Sequence, residues 1–236
     1  MTTDTNYTYE DVAGMIDHSL LNPTLSVAEL DKGIELAKLY QVASVCIMPF
    51  HLKRCAEMLR GSGVAPSTTV GFPHGGHTTA TKVSESKQAL FEGCLELDMV
   101  VNISQVLSGH LNYVQDEIKQ IVDLAHDAGT KVKVIFENCY LNRDQKLALC
   151  EICTTAGADW VKTSTGYGTG GFTFEDIDLM LKHVGKGVQV KAAGGVRDLD
   201  TLLKLRTLGV TRCGASRTAV MLDECRTRLE MPAVAS

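Results

Sequence analysis

Two lysines lie inside short apolar segments that each have the length of a buried strand. Lys162 is part of Trp160-Val161-Lys162-Thr163, and Lys191 is part of Val188-Gln189-Val190-Lys191-Ala192. Burying an ammonium group is unfavourable unless it is paired or used in chemistry, although a lone lysine can also extend its apolar stem and keep the charge in water. Neighbouring strands are about 4.8 Å apart, so lysines on consecutive strands can approach each other closely.

Repulsion between two such lysines would favour a neutral amine. Like charges about 4 Å apart repel by about 4 kcal/mol at an effective dielectric of about 20, which is close to 3 pK units. A lysine pKa lowered from about 10.4 toward 7 leaves about half of the amine neutral at pH 7. A neutral amine attacks a carbonyl to form a Schiff base, from which a proton or a carbon–carbon bond can leave the adjacent carbon. We therefore predict a nucleophilic Lys162, perturbed by Lys191, with Asp98 as its acid–base partner.

Glycine-rich turns follow both of these segments and one later apolar segment. They are Gly168 to Gly171, Gly194-Gly195, and Gly214 to Ser216. Glycine lets backbone N–H groups approach an anion closely, and helix N-termini attract phosphate. One such turn can equally serve turn geometry alone. Three of them in succession predict a phosphate site.

The elements that must position these residues alternate between apolar strand patterns and helical patterns. The alternation repeats at intervals of roughly 22–35 residues, about the length of one strand–helix unit. Eight such units in 236 residues fit a closed barrel better than an open sheet, which usually has five or six strands. We therefore predict an α/β fold with one single-domain (β/α)8 TIM barrel over residues 1–236, in which 1–9 are a polar leader and 229–236 a short tail.

Several helix boundaries can be read directly. Ser26 with Glu29, and Thr173 with Asp176, have the spacing of capping boxes. A further helix is expected to start near Asn142. The eighth strand, Thr211-Arg212-Cys213, has the least regular pattern.

Charged residues on the strands are expected to meet inside the barrel. Asp17, Asp98 and Lys133 also lie in or at the ends of apolar segments. Alternate residues of a barrel strand point inward, and active sites of this fold lie at the C-terminal ends of the strands. The alternative to a catalytic role is a buried ion-pair network that only stabilises the barrel.

Composition excludes several classes of function. The chain is 44% hydrophobic and 22% charged, with a formal charge of −5, which gives no reason to expect nucleic acid. No apolar stretch reaches the roughly 18 residues of a membrane span. The first residues lack the pattern of a signal peptide, and eight cysteines scattered over predicted strands and helices fit a reducing compartment, so a cytoplasmic location is expected. The pair Cys150 and Cys153 lies in a helical pattern with no second pair to complete a zinc site.

Two rival functions are compatible with parts of the sequence. A metal-dependent enzyme would need ligands from His18, His51, His74 or His77, but no HExxH pattern or acidic partner at ligand spacing accompanies them. A barrel that binds a sugar phosphate without converting it would keep the glycine turns. It would not explain two mutually repelling lysines, so an enzyme that uses them is favoured.

Two segments carry a specific resemblance. Lys162-Thr163-Ser164-Thr165-Gly166 and Lys191-Ala192-Ala193-Gly194-Gly195-Val196-Arg197 resemble motifs of the deoxyribose-phosphate aldolases, class I aldolases built on a (β/α)8 barrel. The resemblance extends from about Ile16 to Ser216. It implies reversible cleavage of 2-deoxy-D-ribose 5-phosphate to acetaldehyde and D-glyceraldehyde 3-phosphate, without a metal or organic cofactor, by a protein that forms homodimers or larger assemblies.

The resemblance also implies roles for individual residues. Lys162 would form the Schiff base, Lys191 would perturb its amine, and Asp98 would hold a proton-relaying water. The remaining substrate contacts that we expect are Asp17, Ser19, Asn22, Cys46, Lys133 and Thr165. The phosphate contacts that we expect are Gly170, Gly171, Gly194, Gly195, Gly214, Ser216 and Arg217.

Three positions require separate consideration. Cys46 lies on a strand near the expected site, where it is either a thiol open to reactive aldehydes or a buried structural thiol. His74 stands where an aliphatic residue is expected, and Arg217 stands where a second serine is common. Arg217 would add a guanidinium to the phosphate site or favour a different anion. These departures bear on substrate preference more than on the Schiff-base chemistry.

Overall fold

The computed structural model describes residues 7–234 and contains a closed barrel of parallel strands. The strands follow one another in chain order, and the eighth pairs with the first. The predicted (β/α)8 barrel is therefore confirmed. The strands are β1 Ile16–Leu20, β2 Ser44–Ile47, β3 Ala65–Val70, β4 Glu96–Val100, β5 Lys131–Ile135, β6 Trp160–Lys162, β7 Gln189–Ala192 and β8 Arg212–Ala215.

Helices cover the outside of the barrel. They are α1 Tyr9–Ala13, α2 Val27–Tyr40, α3 Leu52–Leu59, α4 Thr79–Phe91, α5 Ile103–Leu107, α6 Leu111–Asp127, α7 Arg143–Ala156, α8 Phe174–His183, α9 Leu199–Leu208 and α10 Thr218–Arg228. In the part of the chain that is described, none of them is long and apolar enough to cross a membrane.

The three predicted helix N-termini are confirmed, but one of the two predicted capping boxes is incomplete. Ser26 and Asn142 are N-caps, and each forms a reciprocal capping box with the residue three positions on. Thr173 accepts from the backbone N of Asp176, but the Asp176 carboxylate binds the Lys146 ammonium at 2.6 Å. The prediction of a capping box at Thr173 is thus half right, because the acid of the pair has a tertiary partner.

Two short helices, α1 and α5, have no counterpart in the sequence prediction. Each has five residues, too few to show a helical period. Tyr9, placed in the predicted leader, already begins α1, and its side chain is buried and donates a hydrogen bond to Tyr40 O. Residues 1–6 of that leader, and residues 235–236 of the predicted tail, lie outside the described residues.

The strand register divides apolar from polar side chains. Val45, Leu97, Val132 and Val161 alternate with polar residues and belong to the hydrophobic core between the barrel and its helices. The register sets Asp98 beside Lys133, and Lys162 beside Lys191. These polar residues face the barrel interior, where branched apolar side chains are usual in this fold.

Candidate active site

Lys162 and Lys191 meet at a single carboxylate oxygen at the C-terminal end of the barrel. Their Nζ atoms lie 2.7 and 2.8 Å from Asp98 Oδ2. Lys191 Nζ is also 2.5 Å from Asp17 Oδ2. All four side chains are buried. The structure thus brings together the three residues that were predicted to be catalytic.

A second ion-paired layer lies below them. Lys133 Nζ is 2.6 Å from Glu96 Oε2 and 2.8 Å from Asp98 Oδ1. Arg212 binds Asp17 at 2.5 Å and Glu96 at 2.6 Å. The buried ion-pair network that was considered as an alternative is therefore present, and the two upper lysines are part of it.

The charges set the pKa of each lysine differently. Burial lowers the pKa of Lys162, attraction to Asp98 opposes this, and repulsion by Lys191 adds to the lowering. For Lys191, burial alone would lower the pKa, but attraction to Asp17 and then Asp98 raises it above its ordinary value. The direction for Lys162 agrees with the prediction from sequence. The largest cause is burial rather than the predicted repulsion.

Asp98 is held in its charged form. Burial raises the pKa of its carboxyl, but the combined attraction of Lys133, Lys162 and Lys191 places it well below the usual value. Asp98 is therefore a carboxylate at neutral pH. As such it can accept protons and hydrogen bonds but donates none.

A cavity of about 270 Å³ lies above Lys162 and opens at the C-terminal ends of the strands. Its wall contains most of the residues proposed to bind substrate: Asp17, Ser19, Asn22, Cys46, Lys162, Thr165, Lys191, Gly194, Gly195, Gly214 and Ser216. Other predicted site residues are absent from this wall: Asp98, Lys133, Gly170, Gly171 and Arg217. Asp98 lies directly beneath Lys162, whereas Lys133 is fully buried in the lower layer, away from any substrate in the cavity.

The turns after β6 and β7 are in close contact. A Cβ at Gly171 would lie 1.7 Å from Gly194 O, so this position accepts only glycine without a backbone shift. Gly194 and Gly195 have φ values of +78° and +119°, which suit glycine. Phe172 N donates to Gly194 O at 3.1 Å. The contact fixes the shape of the cavity wall where the phosphate was predicted.

The arginine beside this wall is Arg197. Arg197 lines the cavity and is exposed at its rim. Arg217 is exposed at the N-cap position of α10 and is not part of the wall. Arg197 belongs to a motif that carries the family resemblance but is not among the predicted phosphate contacts, although its position two residues after the Gly194-Gly195 turn was a usable signal.

Glu137 is a buried acid near the site that is not among the predicted site residues. It follows β5 in a left-handed conformation, φ +58°, and is buried. Its carboxylate accepts hydrogen bonds from Thr165 Oγ1 and from Thr165 N, the latter at 3.2 Å. An unfavourable backbone conformation of a buried acid is often retained at a functional site. Glu137 fixes the loop that follows Lys162, and its signal was an acid at the end of an apolar strand, as for Asp17.

Tyr167 connects three loops at the mouth of the cavity. Its hydroxyl donates to Leu21 O at 2.6 Å, in the loop after β1. Its ring contacts Phe72, in the loop after β3, in an edge-to-face arrangement with 5.5 Å between centroids. The side chain also lines the cavity, so it joins these loops at the point where the cavity opens.

His18, Cys46, Cys150 and Cys153 are all buried. His18 Nδ1 lies 2.7 Å from Thr218 Oγ1, and burial lowers its pKa to about 4. Within residues 7–234, no group of three or more His, Cys, Asp or Glu side chains is placed to hold a metal ion. Cys46 is buried against the cavity wall, and burial raises the pKa of its thiol. Cys150 and Cys153 are both buried in α7.

The chain is similar to known aldolases. A family model described as DeoC/LacD family aldolase matches residues 12–215. A deoxyribose-phosphate aldolase of Rhodopirellula baltica is 65% identical over 229 residues, covering 97% of this chain and 95% of the relative. One of Caldanaerobacter subterraneus subsp. tengcongensis is 45% identical over 215 residues, covering 91% and 93%.

Solved structures of similar proteins have the same barrel. The structure described as QR15, an aldolase, has a TM-score of 0.88 at 34% identity and covers 93% of this chain and 98% of its own. The tetrameric deoxyribose phosphate aldolase of Aeropyrum pernix has a TM-score of 0.86 at 28% identity and covers 93% of both chains.

Proposed function

The chain belongs to the DeoC/LacD family of aldolases, and from this premise we propose that it is a class I deoxyribose-phosphate aldolase. As such a lyase it would reversibly cleave 2-deoxy-D-ribose 5-phosphate to acetaldehyde and D-glyceraldehyde 3-phosphate. The observation that carries the proposal is Lys162 at the floor of the cavity, with its pKa lowered and its Nζ 2.7 Å from Asp98. No metal or organic cofactor takes part in the proposed reaction.

The steps follow from amine chemistry. Lys162 Nζ adds to the aldehyde carbon of the open-chain sugar, and loss of water leaves an iminium. Asp98, through a water, takes the proton of the hydroxyl on the third carbon, and the bond between the second and third carbons breaks. The electrons of that bond pass to the iminium to form an enamine, and D-glyceraldehyde 3-phosphate leaves. Protonation of the enamine and hydrolysis release acetaldehyde and free the lysine. We assign the proton transfers to Asp98 through a water.

Lys162 is the nucleophile because of its partners. It contacts one carboxylate, Asp98, whereas Lys191 contacts two and Lys133 contacts three. Each carboxylate favours the protonated amine. Lys162 therefore loses its proton most readily of the three, and it lines the cavity, where a substrate can reach it.

A borohydride trap tests the mechanism directly. Incubation with 2-deoxy-D-ribose 5-phosphate and borohydride, followed by peptide mass spectrometry, is expected to place a reduced adduct on Lys162. Loss of activity with a chelator, and no adduct, would instead indicate a metal-dependent aldolase. Measurable binding of the sugar phosphate with undetectable cleavage would indicate a binding protein.

Lys191→Leu tests how the pKa of Lys162 is set. Lys191 repels the Lys162 ammonium, so its removal is expected to raise that pKa and move the acidic limb of kcat/KM to higher pH. Lys182→Leu, which replaces an exposed lysine of α8, should leave the profile where it is. An unchanged profile for Lys191→Leu would show that burial alone lowers the pKa.

A pair of arginine variants tests the phosphate site, to which we assign the three glycine turns and Arg197. Hydrogen bonds to charged groups contribute about 1.5–3 kcal/mol, so Arg197→Gln is expected to raise KM for the phosphorylated sugar roughly tenfold or more. KM for free deoxyribose should change little. Arg217→Ser is the matched control and should have a smaller effect. A larger effect of Arg217→Ser would return Arg217 to the phosphate site.

We also propose that the enzyme forms a homo-oligomer through the face beside α3 and α4. Phe50 and Phe91 are 90% and 84% exposed on this face, and a cavity of about 630 Å³ is lined by Phe91, Leu95 and residues of α3. Large exposed apolar patches mark association surfaces. We infer a cytoplasmic location as well, since all eight cysteines are free thiols.

Phe91→Ser is expected to shift the protein toward smaller species. The substitution removes apolar area that association would bury, and light scattering after size exclusion measures the mass. Val220→Ser, a change at a half-exposed position on α10, serves as the control. Equal masses for Phe91→Ser and the unaltered protein would remove this face from the interface.

A further inference from the structure

The ion-paired groups inside the barrel form one connected set that is unbalanced in charge. We call it the lumen cluster, and each member contacts at least one other at 2.8 Å or less. It contains three carboxylates and four basic groups: Asp17, Glu96, Asp98, Lys133, Lys162, Lys191 and Arg212. Cys46, with a thiol pKa raised by burial, also faces it. If every member were charged, one positive charge would lack a counterpart in a buried site, which is unfavourable.

Loss of one proton balances the cluster. Arg212 cannot supply it, because a guanidinium stays protonated in proteins. Lys133 and Lys191 are each held by two or more carboxylates, and attraction to these raises the pKa of both. Lys162 contacts one carboxylate, so among the three lysines its neutral form gives up the fewest ion pairs.

Arg212 creates this imbalance from the floor of the barrel. Its guanidinium spans Asp17 and Glu96 and lies 4.9 Å from the centre of the Trp160 ring. Its side chain is only 13% exposed, so solvent screens its charge weakly. The carboxylates that it occupies are the ones that Lys133 and Lys191 also use.

We propose that Arg212 is a positioning residue for the aldolase reaction, whose permanent charge occupies Asp17 and Glu96 and so makes Lys162 the cluster member that gives up its proton. The inference rests on the proposed function, because it concerns the amine that forms the Schiff base. Arg212 does not touch the cavity and acts only through the cluster.

Two variants that change the net charge of the lumen cluster in opposite directions test the role of Arg212. Arg212→Gln removes the surplus positive charge, whereas Glu96→Gln removes a negative charge and increases the surplus. A unit charge about 10 Å away at an effective dielectric of about 20 changes a pKa by about one unit. The acidic limb of kcat/KM should therefore move up by about one pH unit in Arg212→Gln and move down in Glu96→Gln. The double variant restores the original balance and should restore the profile, as should Arg212→Lys, which keeps the charge.

The outcomes separate this proposal from the proposed function. If Arg212 has a purely structural role, Arg212→Gln will lower kcat or stability and leave the acidic limb of the kcat/KM profile at the same pH. That result would overturn the inference. Shifts of the same sign in both single variants would also overturn it. If Arg212→Gln does not fold, the inference is still tested by the shift of the acidic limb in Glu96→Gln and by its reversal in the double variant. Failure of the unaltered enzyme to form a borohydride adduct at Lys162 would instead contradict the function itself.

Discussion

Lys162→Met is expected to lower kcat by about 10⁴-fold or more, the size of effect seen when a covalent nucleophile is removed. Methionine fills similar space and cannot form an iminium. The variant leaves the lumen cluster with three carboxylates and three basic groups, so it should remain folded. Steady-state cleavage of 2-deoxy-D-ribose 5-phosphate measures the activity of the variant, and circular dichroism measures whether it is folded.

The control for this variant is Lys186→Met, which changes an exposed lysine and should retain full activity. The borohydride trap adds an independent readout, since Lys162→Met should give no reduced adduct. Activity within tenfold of the unaltered enzyme, or an adduct on Lys191, would show that another amine is the nucleophile.

The sequence predicted which residues face the barrel interior but not how deep each one lies. Lys133 and Lys162 both interrupt apolar strands, and both were assigned to the site. Lys133 is the middle residue of β5, whereas Lys162 is the last residue of β6. Because active sites lie at the C-terminal ends of barrel strands, the position within the strand would have separated a supporting lysine from one that faces substrate.

Contacts between segments that are distant in the chain could not be predicted from the sequence. Repulsion between Lys162 and Lys191 was inferred from neighbouring strands, but burial is the larger cause of the lowered pKa of Lys162. The place of Arg212 in the cluster depends on contacts with Asp17 and Glu96, which are 195 and 116 residues away in the chain. Its short, irregular strand offered no periodic signal of this role.

Asp98→Asn is the second variant with a large expected effect. Loss of a positioned acid–base group lowers rates by about 10²- to 10⁴-fold, and an amide cannot accept the proton that the enamine steps require. Removing one partner of a buried ion pair also destabilises a protein by about 3–5 kcal/mol, and Asp98 is the partner of three lysines. We expect kcat to fall in that range and urea unfolding at pH 7 to occur at lower denaturant. Asp116→Asn, at an exposed position of α6, should change neither.

The pH dependence of the unfolding free energy tests whether Asp98 stabilises the protein through its charge. The pKa of its carboxyl in the folded protein is well below the usual value, so its stabilising effect is fully present above the unfolded pKa of about 3.9. That effect is lost as pH falls toward the folded pKa, because both states then bind the proton. The difference in unfolding free energy between the unaltered enzyme and Asp98→Asn should therefore be constant from pH 6 to 8 and shrink below about pH 4. A difference that stays constant down to pH 3 would mean that Asp98 stabilises the barrel by packing and hydrogen bonding alone, and its assignment as the carboxylate that accepts the proton would then rest on the kinetics only.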